Sequence, residues 1–352
     1  MNPRRAHSVR RGITLSLAVV ALLAESTGGA FAAEDFYKGK QVSIMVSGSG
    51  SYDAYARLLA KYLPKYIPGE PNFVVKNMTG ASGLKAANYI YNAAPKDGTE
   101  IAGTHGHIPT IAIFRDQGVQ YDATKLGWIG SVTKEIFMGY VWHNAPIQSM
   151  LDARTKESIV GGQALGSMSI DIPVLANAMM GTRFKIITGY SGSNEVRLAI
   201  ERGEIHGVFG TAWSSLMNGQ PDWIANKSVN VIAQFGEKAH PQLPGVPSLL
   251  DFVIKPEDRQ ALQAFLARQE TGKPYFAPPG TPPERLAILR RAFDAAVRDP
   301  AFLEEAAKSN LDVDGPMTGE ELAAMVAKVA ATPSAVVERI QKVFEEFAAG
   351  AK

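Results

Sequence analysis

QVSIMVSGSGSYDAYARLL, residues 41–59, places three different signals in a row. Val42 to Val46 is a short apolar run with the β-branched content of a strand, and Ser47-Gly48-Ser49-Gly50-Ser51-Tyr52-Asp53 is a turn of small residues. Tyr55, Leu58, Leu59, Tyr62 and Leu63 then recur on one helical face, until Pro64 and Pro68-Gly69 end the helix. A strand that opens through a glycine-serine turn into a helix is the βα unit of a parallel sheet.

The unit recurs. Phe73 to Lys76 leads into Thr79-Gly80-Ala81-Ser82-Gly83 and a helix carrying Leu84, Ala87 and Tyr91. Ile101 to Gly103 leads into Thr104-His105-Gly106-His107, and Ile159-Val160 into Gly166-Ser167-Met168-Ser169. Phe184 to Ile187 opens into Gly189-Tyr190-Ser191-Gly192-Ser193, and Ile205 to Phe209 into Gly210-Thr211-Ala212-Trp213. The alternation predicts an α/β fold with largely parallel sheets flanked by helices. The C-terminal third reads as packing helices. Thr281-Pro282-Pro283-Glu284 predicts an N-cap with a capping box, and Thr318 with Glu321 predicts a second.

At the other end of the chain, Arg4, Arg5, Arg10 and Arg11 precede the apolar run Ile13 to Leu23, and Ala30 and Ala32 follow as a small-x-small pair. That layout predicts a secretory leader over residues 1–32, cleaved to start the mature chain near Ala33. Removing it takes four arginines and one glutamate from 36 basic and 34 acidic side chains, which leaves a net charge of −1. Such a balance lacks the basic field that nucleic-acid backbones require, so no nucleic-acid partner is expected. The chain has no cysteine, which excludes a disulfide framework, a thiol nucleophile and thiolate metal ligation.

In open α/β sheets ligands lie beyond the C-terminal ends of the strands, where helix N-termini point unpaired N–H groups at the crevice. Any one glycine-serine turn is equally what an ordinary strand-to-helix connection uses; the recurrence favours a site. Ser47-Gly48-Ser49-Gly50 lacks the spaced third glycine of a dinucleotide loop and the Gly-Lys-Ser/Thr of a phosphate loop. No nucleophile elbow, zinc-protease helix or Ser-x-x-Lys motif is present. His105 and His107 have no third ligand at a metal-binding spacing, so no metal and no cofactor are expected. Tyr190 and Trp213 are candidates for an aromatic wall over a carbon skeleton, with core packing as the alternative. Asp53 and Glu195 open helices, where an acid acts first through capping and the helix dipole.

Longer stretches share a pattern: Asp35-Phe36-Tyr37-Lys38-Gly39-Lys40, Lys76-Asn77-Met78-Thr79-Gly80-Ala81-Ser82-Gly83, Ala94-Pro95-Lys96-Asp97-Gly98-Thr99, Trp128-Ile129-Gly130-Ser131, Leu243-Pro244-Gly245-Val246-Pro247 and Ala277-Pro278-Pro279-Gly280-Thr281-Pro282. In order and spacing they resemble the Bug-type extracytoplasmic solute receptors of tripartite tricarboxylate transporters. The resemblance covers essentially the whole mature chain. It implies a two-lobed periplasmic-binding-protein fold (type II-like) and a monomer, not an enzyme, that delivers a small carboxylate ligand to integral-membrane permease subunits. It maps the site onto Ser47, Gly48, Ser49, Tyr52 and Asp53, onto Gly80, Ala81 and Ser82, and onto Gly166, Ser167, Ser169, Gly189 and Tyr190. Thr211 and Trp213 join them from the last of the turns.

The expected boundaries are residues 34–138 plus 236–352 for lobe 1 and 139–235 for lobe 2, with crossings near Gly139 and Gln234. The chain departs from the resembled pattern in a short, serine-rich first turn and in His105 and His107, where a small hydroxyl residue is more usual. A carboxylate held by either histidine would bind more tightly as pH falls through about 6.5. Two rival readings are a periplasmic hydrolase or isomerase with His105 as base, and a sensory ligand-binding component.

Overall fold

The computed structural model describes residues 36–47, 51–114, 118–163, 165–236 and 239–350. The expected leader at residues 1–32 and the turn residues Gly48 and Ser49 lie outside them. In chain order the described strands are β1 (Gln41–Val46), β2 (Asn72–Asn77), β3 (Glu100–Gly103), β4 (Gly127–Ser131), β5 (Phe137–Trp142) and β6 (Ser158–Gly161). They continue with β7 (Phe184–Ile187), β8 (Gly207–Ala212), β9 (Val229–Gln234), β10 (Pro274–Ala277) and β11 (Met317–Thr318). The first sheet has the order β11-β4-β10-β3-β1-β2, the second β7-β6-β8-β5-β9.

Each sheet is mixed, with one dominant direction. β1 pairs in parallel with β2 and β3, and β10 lies antiparallel between β3 and β4, so β4 points the same way as β1. In the second sheet β6 pairs in parallel with β7 and β8, while β5 lies antiparallel between β8 and β9. β5 and β10 are the first strands after a passage between lobes, and each arrives pointing against its new neighbours. Within β1, Val42, Ile44 and Val46 enter the apolar cluster on one face and Met45 the cluster on the other. That two-sided burial is what a run of consecutive apolar residues dictates in a central strand.

Two passages between the lobes run side by side. Val132 donates to the Lys273 carbonyl, Gly272 to that of Thr133 and Glu135 to that of Gln269, each at 3.1 Å. The outward passage runs through residues 132–135; the return, at 269–273, comes more than thirty residues after Gln234. Residues 239–266 stay with the second lobe, where Leu249, Leu250, Ala261, Leu262 and Phe265 share one cluster with the helix Met168–Met180. The C-terminal helix Ser334–Gly350 adds Val336, Ile340, Val343 and Phe344 to that cluster. The cause lies in Met168–Met180 itself, which buries apolar residues on nearly every side and needs cover on the side away from the sheet. Gly319–Ala330 instead packs Leu322 and Val326 against the first sheet, so the chain passes between lobes again at 331–333.

The capping box at Thr318 and Glu321 is present. The one expected at Thr281 is not: the Thr281 hydroxyl donates to the Pro278 carbonyl at 2.8 Å and the helix begins at Pro283. Among the described residues no helix is long and apolar enough to cross a membrane.

Candidate functional site

Between the lobes lies an open cleft of about 950 Å³. Three helices of at least two turns start at its walls: Ser51–Tyr62 from the first lobe, and Met168–Met180 and Ser193–Glu201 from the second. Ser51 and Tyr52, Met168 and Ser169, and Ser193 and Asn194 all line it. Each helix start carries N–H groups without intrahelical partners and about half a positive charge. The short helix Trp213–Gly219 adds Ser214 and Ser215.

Tyr52, His105, His107, Ser167, Ser169 and Thr211, all expected site residues, do line the cleft. Other described residues of the expected set sit elsewhere. Ser47 is buried and bonds His105 Nδ1 at 3.0 Å, so it supports the wall without forming it. Asp53 accepts from Arg57 at 2.7 and 3.0 Å and from Asn77 at 2.9 Å, which holds its carboxyl below the usual carboxylate range. Gly80 and Ala81 are not among the residues that line the cleft; a Cβ on Gly80 would meet only the Lys85 side chain. The close approach belongs to Gly83, where a Cβ would come within 2.8 Å of His105 Nδ1 and 3.2 Å of Ser47 Oγ.

In the second lobe, the Gly166 amide donates to Asp171 Oδ1 at 2.8 Å and Gly189 donates to the Gln163 carbonyl at 2.7 Å. Tyr190 packs its ring against Gly161 of β6, and Trp213 turns away from the cleft to donate to Gln242 Oε1 at 2.6 Å. Tyr52, Tyr55, Phe137 and Tyr140 give the cleft aromatic lining, with Met168 and Val208 beside them. Phe137 and Tyr140 belong to β5, whose alternation reads in sequence as an ordinary strand.

Sequence reasoning also missed the charges at the base of the cleft. Glu135, on the outward passage, and Lys273, on the return, form a buried ion pair at 3.1 Å and both line the cleft. The other Glu135 oxygen accepts from the Ser214 hydroxyl. The Lys273 ammonium sits 4.5 Å from the Tyr52 ring centroid and 5.7 Å from that of Tyr55. Burial alone would lower its pKa; Tyr52 and Glu135 outweigh burial and raise it above the usual lysine range.

His105 stacks on Tyr52 with ring centroids 4.2 Å apart. Burial, and then the positive charge of Lys273, pull its pKa down to about 4. The ring is therefore neutral across the physiological range, and the expected gain of affinity on acidification through 6.5 does not apply to it. Among the described residues no group of three or more His, Asp or Glu side chains is arranged to hold a metal ion.

No family model and no curated protein matches the chain. Solved structures do match its fold. A ligand-free TctC solute binding protein from Polaromonas superposes with a TM-score of 0.66 at 18% identity, over 86% of this chain and 99% of that one. An R. palustris protein with adipate gives 0.62 at 21%, over 87% and 97%. MatC from Rhodopseudomonas palustris with bound malate gives 0.58 at 18%, over 87% and 99%. The shared feature is the two-lobed α/β fold of periplasmic binding proteins.

Proposed function

We propose that this chain is a periplasmic solute-binding protein that holds a small carboxylate between its lobes and delivers it to a membrane permease. The observation that carries the reading is the convergence of three helix N-termini, from both lobes, on one cleft. Such ends stabilise a carboxylate through preorganised backbone donors and need no net positive charge on the side chains. Glu135 and Lys273 neutralise each other, so the N–H groups supply the attraction. Tyr52, Phe137 and Tyr140 offer apolar surface to the carbon skeleton. The fold shared with periplasmic binding proteins supports the same compartment, as does the leader-like N-terminus.

Binding to both walls would favour the closed arrangement of the lobes, which is the population shift a delivery protein requires. The hydrolase reading has the Ser47–His105 hydrogen bond in its favour. Against it, Ser47 is buried at 2% exposure and stands behind the wall, out of a substrate's reach.

Thermal unfolding of the mature chain against a panel of mono-, di- and tricarboxylates tests the proposal. A bound acid at a hundredfold excess over Kd stabilises the protein by about 2.7 kcal/mol. No response to any acid, with a response to an uncharged solute, overturns it.

A further inference from the structure

A buried ion pair beneath a solute cleft requires a reason. Such pairs contribute little net stability, because desolvation offsets their attraction, and apolar residues of the same shape often serve as well. Here the two members come from the two passages between the lobes, and both line the cleft. Neither is saturated. The Lys273 ammonium has three N–H groups, one on Glu135 and the others near the faces of Tyr52 and Tyr55, which are weak acceptors. Glu135 takes Ser214 on one oxygen and Lys273 on the other, and each oxygen keeps a free lone pair.

We propose that Glu135 and Lys273 together set the specificity of the cleft, Lys273 donating to a solute carboxylate and Glu135 accepting from a hydroxyl or amino group on the adjacent carbon. The proposal rests on the carboxylate reading above and adds the donor beside the carboxylate. A plain acid meets Lys273 but brings its charge against Glu135, so attraction and repulsion offset. A 2-hydroxy or 2-amino acid satisfies both members at once. Their polar atoms lie 3.1 Å apart, side by side like the hydroxyl and nearer carboxylate oxygen of such an acid. A site whose buried acceptor is left unpaired discriminates strongly against the solute that lacks the donor.

Calorimetric titration of the mature chain with matched pairs, lactate against propanoate and 2-hydroxybutanedioate against butanedioate, reads this directly. In each pair that binds, the hydroxy acid is expected to bind at least about tenfold more tightly. In a Glu135→Gln/Lys273→Met double variant, which removes both charges while keeping side-chain volume, the ratio should fall to within about threefold. Equal affinities within the pairs on wild type overturn the proposal and leave the carboxylate reading standing; this arm needs no variant. An unchanged ratio in the folded double variant also overturns it. Binding of no member of any pair, with a response to an uncharged solute, overturns both.

Discussion

The strand-end turns of the two lobes are built from the same small residues and face the same cleft, yet they use their polar groups differently. In the first lobe Ser47 bonds His105, and Asp53 is held by Arg57 and Asn77. These side chains brace the wall from behind. In the second lobe Ser167, Ser169, Thr211 and Ser214 line the cleft itself. The difference arises from local competitors: Arg57 lies one helical turn after Asp53, where an ion pair forms readily, and Gly83 brings its loop against Ser47 and His105. A turn's composition therefore announces a cleft-facing end of a sheet without saying which of its side chains reach the cleft.

A third region, the paired passages, carries the buried charges, and it supplies the largest expected effect. Lys273→Met leaves Glu135 buried without its cation and should cost about 3–5 kcal/mol in urea denaturation. The Glu135→Gln/Lys273→Met double variant should regain most of that loss, whereas loss in both to the same degree would show that packing, not charge, matters there.

Next in size is the response to acid. His105 has a folded pKa of about 4 against an ordinary value of 6.5, so the unfolded chain takes up the proton first. Its contribution to stability is complete above about pH 6.5 and is lost as pH falls toward 4, by up to about 3 kcal/mol. Denaturation at a series of pH values on wild type and His105→Gln checks this: the variant should lose that part of the slope. Ligand affinity, by contrast, should stay level between pH 5 and 8 so far as His105 is concerned.

Glycine substitutions sharpen the contrast within the first lobe. Gly83→Ala forces a side chain onto a φ of +96° and against His105, and should cost roughly 2–3 kcal/mol with a loss of affinity. Gly80→Ala meets only the flexible Lys85 side chain, at 3.4 Å, on a φ of +138° and should cost about 1–2 kcal/mol, leaving affinity unchanged. The smallest effect separates the aromatic candidates. Tyr52→Leu should weaken binding by about 1 kcal/mol through lost stacking area; Trp213→Leu should leave it within error, since the indole points to Gln242.

Much of the fold was legible because period-2 and period-3.6 patterns survive any tertiary context. Val42 to Val46 and the helix carrying Tyr55, Leu58 and Leu59 appear where their spacing put them. The course of the chain after Gln234 was not legible, because where a helix packs depends on which surface needs cover; Pro256–Leu266 and Ser334–Gly350 join the cluster around Met168–Met180 of the second lobe. The glycines and hydroxyls marked strand ends of which several line the cleft. Glu135 and Lys273 escaped notice because isolated charges in Thr133-Lys134-Glu135 and Thr271-Gly272-Lys273 read as solvated loop residues. Their signal was position: each lies in a passage between lobes, and such passages run beneath the cleft.

The central claim is that backbone amides at helix N-termini hold the acid. Amide hydrogen exchange, with and without a carboxylate shown to bind, measures this residue by residue. The account predicts ligand-dependent protection of residues 51–53, 167–170 and 192–196, with the interiors of the same helices unchanged. Protection confined to other surfaces, with those three helix starts exchanging as fast as in the free protein, would contradict it.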